Sequence, residues 1–162
     1  MVRDASRIFV RLEDGTVHEA ALVGGERESS DVAVLKIDAE GLYPARIGRS
    51  SDMRVGSAIY AMGNPLGDLT YTITAGIVSS LNREVFVESS RRIPMFQIDA
   101  AVNSGNSGGP VYNAFGEVVG VVTAKAKLYG VEGIGFAIPI DDAMGYAMGF
   151  MAPDQSPRFQ GG

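Results

Sequence analysis

The sequence predicts an all-β fold made of short antiparallel strands. Runs of β-branched and apolar residues recur along the chain, separated by turns rich in Gly, Asn, Asp and Pro, and this spacing is typical of an antiparallel sandwich or barrel. The 21 glycines favour the same class, because tight turns and sharply bent strands need residues that tolerate positive φ or close backbone contact. The predicted strands are Arg7–Leu12, Val17–Val23, Val32–Ile37, Ser57–Met62, Tyr71–Leu81, Glu84–Glu88, Val118–Ala124 and Ile134–Ile138.

One helix is predicted, near the end of the chain. Asp141 is the expected N-cap, and apolar residues recur at helical spacing from Asp142 to Met151. The segment that follows is polar and contains Pro and Gly, which is typical of a frayed tail or the start of a linker. We therefore expect one domain over residues 1–152 and a tail or linker over residues 153–162.

Composition excludes several functional classes. The net charge of −5 comes without a long run of either sign, so neither nucleic acid nor anionic lipid is an expected partner. No apolar stretch is long enough to span a bilayer, and Met1 is followed by charged residues rather than by an apolar signal core. The chain has no cysteine, which excludes disulfides, thiolate metal sites and a cysteine nucleophile. We expect neither a metal nor a cofactor.

The segment that carries most chemical information is Asn103–Pro110, with the sequence NSGNSGGP. A serine flanked by glycines on a tight loop can expose its hydroxyl while the amides of Gly105 and Ser107 converge on one point, which is how an oxyanion hole is built. Ser107 is therefore the candidate nucleophile. By composition alone an ordinary turn between strands explains the segment better, so this hypothesis needs support from the rest of the chain.

That support is a resemblance over nearly the whole chain. Five further segments stand in the order and at the spacing of motifs in one protease family: Ser30–Ile37, Ala61–Gly67, Thr74–Ser79, Gln97–Asn103 and Gly133–Pro139. The chain resembles the HtrA/Deg family of serine proteases. The resemblance implies a trypsin-like fold of two antiparallel Greek-key β-barrels with the active site in the cleft between them, the first barrel being incomplete here. It also implies that Ser107 is the nucleophile, within an oxyanion-hole segment of Gly105, Asn106 and Ser107.

The resemblance assigns the triad aspartate to Asp31, which would orient the catalytic histidine and stabilise its charged form. Taken alone, Asp31 would be explained as a solvated turn residue. The only histidine, His18, lies in an alternating strand pattern where the family has an ordinary strand residue, so we expect a structural role for it. In the family the catalytic histidine stands roughly thirty residues before the aspartate, which leads back to the first residues of this chain.

Two explanations for the missing histidine stay open. In the first, the chain is truncated at its N-terminus, before the histidine and the opening strands of the first barrel. We favour this one, because a natural barrel without those strands would expose sheet edges and apolar core. In the second, the protein is a catalytically silent pseudoprotease that binds peptides or partner proteins. Neither explanation places an active triad in these residues, so the chain as it stands is expected to be inactive.

Substrate preference can be predicted in part. Trypsin relatives that cut after Lys or Arg have an acid six residues before the nucleophile, whereas this chain has Ala101 there, so we expect a small or medium uncharged side chain at the cleavage site. The strand Thr123-Ala124-Lys125 is expected to line the cleft and to pair with an extended substrate. Lys125 is equally well explained as a solvated lysine on an edge strand.

The function implied by the resemblance is that of a serine endopeptidase that cleaves unfolded or damaged proteins through an acyl-enzyme on Ser107. Members of the family work in protein quality control in the periplasm or another extracytoplasmic space, often as homotrimers. A homotrimer and an extracytoplasmic location are therefore the expectations for this chain as well, and both rest on resemblance alone.

Overall fold

The computed structural model describes residues 2, 5–25, 31–64, 71–87, 91–103, 105–123 and 133–151. Within these ranges the chain forms nine strands, a short 3₁₀ helix and one α-helix. Two compact units are distinguished. The first holds the described residues up to Pro44 together with those from Met144 onward, and the second runs from Ala45 to Ala143. The boundary predicted at residue 152 and the tail after it lie outside the described residues.

The first unit contains an antiparallel sheet in the order β1-β2-β3. A tight turn joins the first two strands, with Gly15 at a φ of 86° where a side chain would be strained. Thr16 donates its hydroxyl and its amide to the Asp14 carboxylate, and these bonds hold the pKa of Asp14 below its ordinary value. The strands are β1 (Ile8–Arg11), β2 (Val17–Gly25) and β3 (Ala33–Lys36).

The second unit contains a closed barrel in the order β4-β5-β6-β9-β8-β7, counted over the described residues. Alternate side chains point inward and form one apolar core that includes Ile59, Val78, Ile98, Val111 and Val119, each fully buried. The strands are β4 (Ala58–Gly63), β5 (Thr72–Val87), β6 (Arg91–Ile98), β7 (Pro110–Tyr112), β8 (Val118–Thr123) and β9 (Gly135–Pro139). A closed barrel in one unit and an incomplete sheet in the other confirm the predicted fold class.

The strand pattern differs from the prediction in two respects. The two strands expected at Tyr71–Leu81 and Glu84–Glu88 are one long strand, β5, whose pairing with β6 shifts register at two irregularities near Ser80. Asn82 has a φ of 52° at this point, so a polar residue that suggests a turn is accommodated within a bulged strand. The strands β6 and β7 were not predicted at all.

The predicted helix is present as α1 (Ile140–Met148), but Asp141 is not its N-cap. Asp141 lies inside the first turn, where its carboxylate accepts the backbone N–H of Ser51 at 2.9 Å. Its own N–H donates to the hydroxyl of Ser50 at 3.1 Å. The side chain thus ties the start of the helix to the 3₁₀ helix (Ser50–Asp52) instead of closing its own helix. Within the described ranges, no helix combines the length and the apolar character that crossing a bilayer demands.

Replacing Asp141 by alanine should lower the free energy of unfolding by about 1 kcal/mol at neutral pH, since the carboxylate is exposed and its hydrogen bond is correspondingly weakened. Burial works to raise the pKa of Asp141, but hydrogen bonds from Ser51 and Ser50 outweigh it and hold the pKa below its ordinary value. The stabilisation is therefore complete above about pH 4 and is lost as the pH falls through the lowered pKa.

Urea unfolding near pH 7 and again near pH 2 measures this effect. Asp142→Ala is the matched control, because it removes a neighbouring carboxylate from the same first helical turn without removing the bonds to Ser50 and Ser51. An Asp141→Ala variant whose unfolding free energy differs from that of the control by the same amount at both pH values would contradict the assignment.

Candidate active site

Ser107 lies in the second of two consecutive β-turns that share Asn106. The amide N–H of Asn106 donates to the carbonyl of Asn103 at 3.1 Å, which closes the first turn. The amide N–H of Gly109 donates to the carbonyl of Asn106 at 2.9 Å, which closes the second. We call residues 103–109 the nucleophile turn. Ser107 is the second residue of its second half, a position on the outside of the bend.

Glycines at two positions make this double turn possible. Gly105 has a φ of 108° and Gly108 a φ of 84°, and each is the third residue of its turn. A hydrogen-bonded turn with positive φ at the third residue strongly prefers glycine, since other side chains are strained there. The spacing of the two glycines around Ser107 therefore follows from the backbone geometry of the turn.

The strands on both sides hold the nucleophile turn in place. On β8, the carbonyl of Val122 accepts the N–H of Gly108 at 2.8 Å, and the N–H of Val122 donates to the carbonyl of Gly109 at 2.9 Å. On β4, the backbone of Gly109 packs so closely on the carbonyl of Met62 that a side chain at this position would overlap it. Ser107 lies in a loop, but the backbone that follows it is hydrogen-bonded to β8 and packed against β4.

The sequence predicted an oxyanion hole from the segment Gly105, Asn106 and Ser107. The amide N–H of Asn106 is used inside the turn, so Asn106 is not expected to donate to an oxyanion. The amides of Gly105 and Ser107 stay the predicted donors. Gly105 is exposed and Ser107 is half-buried, so both can be reached from solvent. The side chain of Asn106 is 3% exposed and rests on Gly63 at the end of β4.

Ala101, the predicted specificity residue, is exposed six residues before Ser107. The hydroxyl of Thr74 on β5 donates to its carbonyl at 2.9 Å and fixes the backbone there. The next residue, Val102, packs against the barrel core and fills the space above Gly135 of β9, where a Cβ would lie 2.5 Å from its Cγ2 atom. Neither Thr74 nor Gly135 was expected at the site from the sequence, although both lie in segments that carry the family resemblance.

Of the predicted substrate-binding strand, the structure describes Thr123 alone. Thr123 is the last residue of β8, is buried, and pairs with Phe136 of β9. Ala124 and Lys125 lie outside the described residues.

Asp31 belongs to the first unit, where it precedes β3 and is half-buried. Its φ of 54° places it in the left-handed region, which Asp adopts more readily than most residues because its short side chain can bond locally. Backbone strain of this kind concentrates at functional sites.

His18 cannot serve as the partner of Asp31, because His18 lies near the start of β2 whereas Asp31 precedes β3 at the place where β3 pairs with the end of β2. His18 is the second residue of that strand and pairs with Val10 of β1. Gly25 ends the strand and pairs with Ala33, two residues after Asp31. At about 3.3 Å per residue, the strand separates His18 from the Asp31 end by roughly 20 Å.

Comparison with known proteins places the chain in a family. Residues 2–121 match the family described as Trypsin-like peptidase domain. The chain belongs to this family. The resemblance to HtrA/Deg serine proteases is confirmed as well, because the relatives described next carry HtrA or DegP names.

Two curated relatives cover most of the chain. The probable periplasmic serine endoprotease DegP-like of Hahella chejuensis is 44% identical over 148 residues, which are 89% of this chain and 30% of that protein. The serine protease Do-like HtrA of Bacillus subtilis is 43% identical over 163 residues, which are 98% of this chain and 36% of that protein. The chain therefore spans about a third of the length of these relatives.

Solved structures show the same relationship. The HtrA-type protease AlgW with decapeptide superposes with a TM-score of 0.78 at 40% identity, covering 88% of this chain and 43% of that one. The serine endoprotease from Yersinia pestis gives a TM-score of 0.77 at 37% identity, covering 91% of this chain and 50% of that one. The chain is thus a trypsin-like serine protease domain of the HtrA type by resemblance, with the fold that the sequence predicts.

Because β2 separates His18 from Asp31, replacing His18 by alanine in the protein made from the complete gene should leave the reactivity of Ser107 within about twofold of the wild type. Initial rates of peptide cleavage or of covalent labelling measure this. A general base would behave differently: its loss lowers the rate by about 10³-fold or more, and such a result would overturn the structural role of His18.

A depression of about 300 Å³ lies elsewhere on the barrel. It is lined by residues around Met53, Ala58 and Phe115. Ala58 begins β4 whereas Gly63, beneath the nucleophile turn, ends it, so the two places are roughly 17 Å apart along the strand. Among the described residues, no three or more His, Asp or Glu side chains are grouped as metal ligands.

Proposed function

We propose that this chain is the catalytic part of a serine endopeptidase that cleaves unfolded or damaged polypeptides through an acyl-enzyme on Ser107. The general base takes the proton of the Ser107 hydroxyl as its oxygen attacks the scissile carbonyl carbon. The carbon–nitrogen bond then breaks and the amine leaves with that proton. Water, activated by the same base, hydrolyses the acyl ester, and the proton returns to the Ser107 oxygen. The amides of Gly105 and Ser107 stabilise the negative oxygen of each tetrahedral intermediate.

The observation that carries this proposal is the nucleophile turn itself. Two glycine turns place Ser107 at an outside corner, and hydrogen bonds to β8 together with the contact of Gly109 on β4 hold it there. A serine on a preorganised backbone, with two neighbouring amides at the same bend, supports acyl transfer better than it supports an ordinary strand connection.

Asp31 is proposed as the carboxylate that orients the base. The base itself is proposed to be a histidine outside these 162 residues, since the separation of His18 from Asp31 along β2 argues against the only histidine within them. The 162-residue chain by itself is accordingly proposed to be inactive, because serine is a weak nucleophile without a base.

Substrate binding is proposed to involve Ala101 and the strand Thr123-Ala124-Lys125. Without an acidic group at Ala101, a small or medium apolar side chain fits the cleavage site better than Lys or Arg does. The strand would pair with the extended substrate backbone. Solved HtrA-type relatives are described as complexes with a decapeptide and a tripeptide, which supports a peptide partner.

Location and assembly are also proposed by likeness. Several curated relatives are named probable periplasmic endoproteases, which supports an extracytoplasmic place of action. A homotrimer is proposed from the family resemblance.

The test uses protein produced from the complete gene and, beside it, the 162-residue chain. An unfolded reporter protein is incubated with each, and new N-termini are identified by mass spectrometry. We expect cleavage after small apolar residues by the complete gene product and none by the 162-residue chain. Intact reporter with both proteins, each of them folded, would contradict the proposal.

The alternative is a pseudoprotease that binds peptides without hydrolysis. The observation that favours it is that the one histidine of these 162 residues, His18, is paired with Val10 far from Asp31. In this case the complete gene product would bind the unfolded reporter and release it intact. Binding measured by fluorescence anisotropy, together with an absence of new N-termini, distinguishes this function from the first.

A further inference from the structure

Asn106 is the joint of the nucleophile turn. Its amide N–H closes the first half of the turn on Asn103, and its carbonyl closes the second half by accepting the N–H of Gly109. Ser107 follows it directly. Any rotation of the backbone at Asn106 therefore reorients the hydroxyl of Ser107 relative to β4 and β8.

The side chain of Asn106 packs against the barrel at the end of β4, and we call this contact with Gly63 the seat of the turn. It is 3% exposed and lies against the backbone of Gly63, where a Cβ would overlap its Oδ1 atom and come within 2.7 Å of its Cα and Cγ atoms. Gly109, at the other end of the second half-turn, packs on the carbonyl of the preceding residue, Met62. Both ends of this half-turn thus rest on two consecutive residues of β4.

The buried amide oxygen of Asn106 lowers the stability of the folded state. The Oδ1 atom of Asn106 is buried and, within the described part of the chain, has no hydrogen-bond partner. An unpaired buried acceptor destabilises the folded state, and an apolar side chain would fill the same space without that cost. The contacts described for Asn106, which are to Gly63, Asn103 and Gly109, include no charged group that would tolerate a carboxylate here.

We propose that Asn106 is a positioning residue for Ser107: its uncharged, buried amide wedges the nucleophile turn against the end of β4 and so fixes the direction of the serine hydroxyl. This inference rests on the proposed function of Ser107. Because the residue is 3% exposed, it would act through the backbone of the turn and not through contact with substrate. Two properties of the side chain carry the role, its volume over Gly63 and its neutrality.

Two variants separate these properties. Asn106→Ala removes the wedge, so the turn loses its support on Gly63. Asn106→Asp keeps the shape but buries a carboxylate where the described contacts of residue 106 include no cation, so burial disfavours its ionised form. Protonation restores a neutral group of the same shape, so the defect should disappear as the pH is lowered.

Asn113→Ala is the matched control. Asn113 also organises a turn of the barrel, accepting the N–H groups of Phe115 and Glu117 on its Oδ1 atom, but it lies at the other end of β7 from the nucleophile turn. Its loss weakens the barrel without altering the seat on Gly63. A comparison at equal loss of thermal stability therefore removes the purely structural contribution.

The experiment measures the rate at which a fluorophosphonate labels Ser107 in the complete gene product. We expect Ser107 to be labelled more slowly in Asn106→Ala, by about tenfold or more. In Asn113→Ala, at a comparable melting temperature, it should be labelled at the wild-type rate. For Asn106→Asp, the ratio of its rate to that of the wild type should rise toward one as the pH falls from about 8 to about 5. Wild-type rates in Asn106→Ala, or a pH-independent ratio in Asn106→Asp, would overturn the inference.

Amide hydrogen exchange on the complete gene product keeps this test separate from the proposed function. If the wild type is not labelled at all, the proposed function fails, yet exchange at Gly108 and Gly109 still reports on the seat. Faster exchange in both Asn106 variants near pH 8, but not in Asn113→Ala, supports the role of Asn106. Unchanged exchange at these two amides in the Asn106 variants contradicts it.

Discussion

Replacing Ser107 by alanine is expected to lower the rate of polypeptide cleavage by the complete gene product by about 10⁵-fold or more. The variant keeps the turn, its two glycines and the candidate oxyanion donors, so substrate binding is preserved while the covalent route is lost. The physical reason is that, in the proposed mechanism, the acyl-enzyme forms on the hydroxyl of residue 107. Steady-state cleavage of a fluorogenic peptide measures kcat and KM separately.

Ser57→Ala provides the control for this prediction. Ser57 precedes β4 at the end of the strand far from the nucleophile turn, and its hydroxyl accepts the N–H of Arg54 at 3.0 Å. Its replacement should leave kcat unchanged. Cleavage by Ser107→Ala at a rate similar to that of Ser57→Ala would remove Ser107 from the chemistry.

Replacing Gly109 by alanine is expected to have the largest effect on stability. The added Cβ would overlap the carbonyl oxygen of Met62 and lie 2.8 Å from the carbonyl oxygen of Asn106, and both are backbone atoms of hydrogen-bonded structure. Relieving the overlap requires β4 and the nucleophile turn to separate. We expect a loss of about 3 kcal/mol in the free energy of unfolding and a melting temperature lower by roughly 10 °C.

Gly145→Ala is the matched control for the added methyl group. Gly145 lies within α1, and a Cβ there meets no atom within 4 Å. Alanine is the better helix former by about 1 kcal/mol, so this variant should be as stable as the wild type or more stable. Thermal unfolding of both variants measures the difference, and equal melting temperatures would contradict the close contact between Gly109 and β4.

The fold class could be predicted because its main signals are local. Alternating apolar runs and glycine turns indicate strands wherever each run is long enough, as at Val17–Val23 and Val118–Ala124. The strand β7 has only three residues and begins with Pro110, so its apolar pattern is too short to recognise. The strand β6 begins with two arginines and contains Pro94, and only its pairing between β5 and β9 establishes it.

The N-cap assignment failed for a related reason. Asp141 has the residue type and the position of a cap, but Ser51, far away in the sequence, donates to its carboxylate. A tertiary hydrogen bond therefore replaced the local one. No pattern within the helical segment itself could have indicated it.

The candidate site could be predicted as a motif but not as a structure. The glycines on both sides of Ser107 indicate a tight turn from the sequence alone, because positive φ in such a turn strongly prefers glycine. The contacts that support the turn could not be predicted in this way. Gly63 and Met62 are more than 40 residues away in the sequence. Their contacts with Asn106 and Gly109 arise only when β4 pairs with β7. The burial of Asn106 is likewise a tertiary property, since asparagine in a turn is usually solvated.

The most direct measurement is the identification of the residue that a fluorophosphonate modifies in the complete gene product. The protein is labelled in its folded state, digested and sequenced by mass spectrometry. A single adduct on the peptide that contains Ser107, absent after prior unfolding, is the predicted result. An adduct on a different serine, or a folded protein that takes up no label, would contradict the central claim that the nucleophile turn presents a reactive hydroxyl.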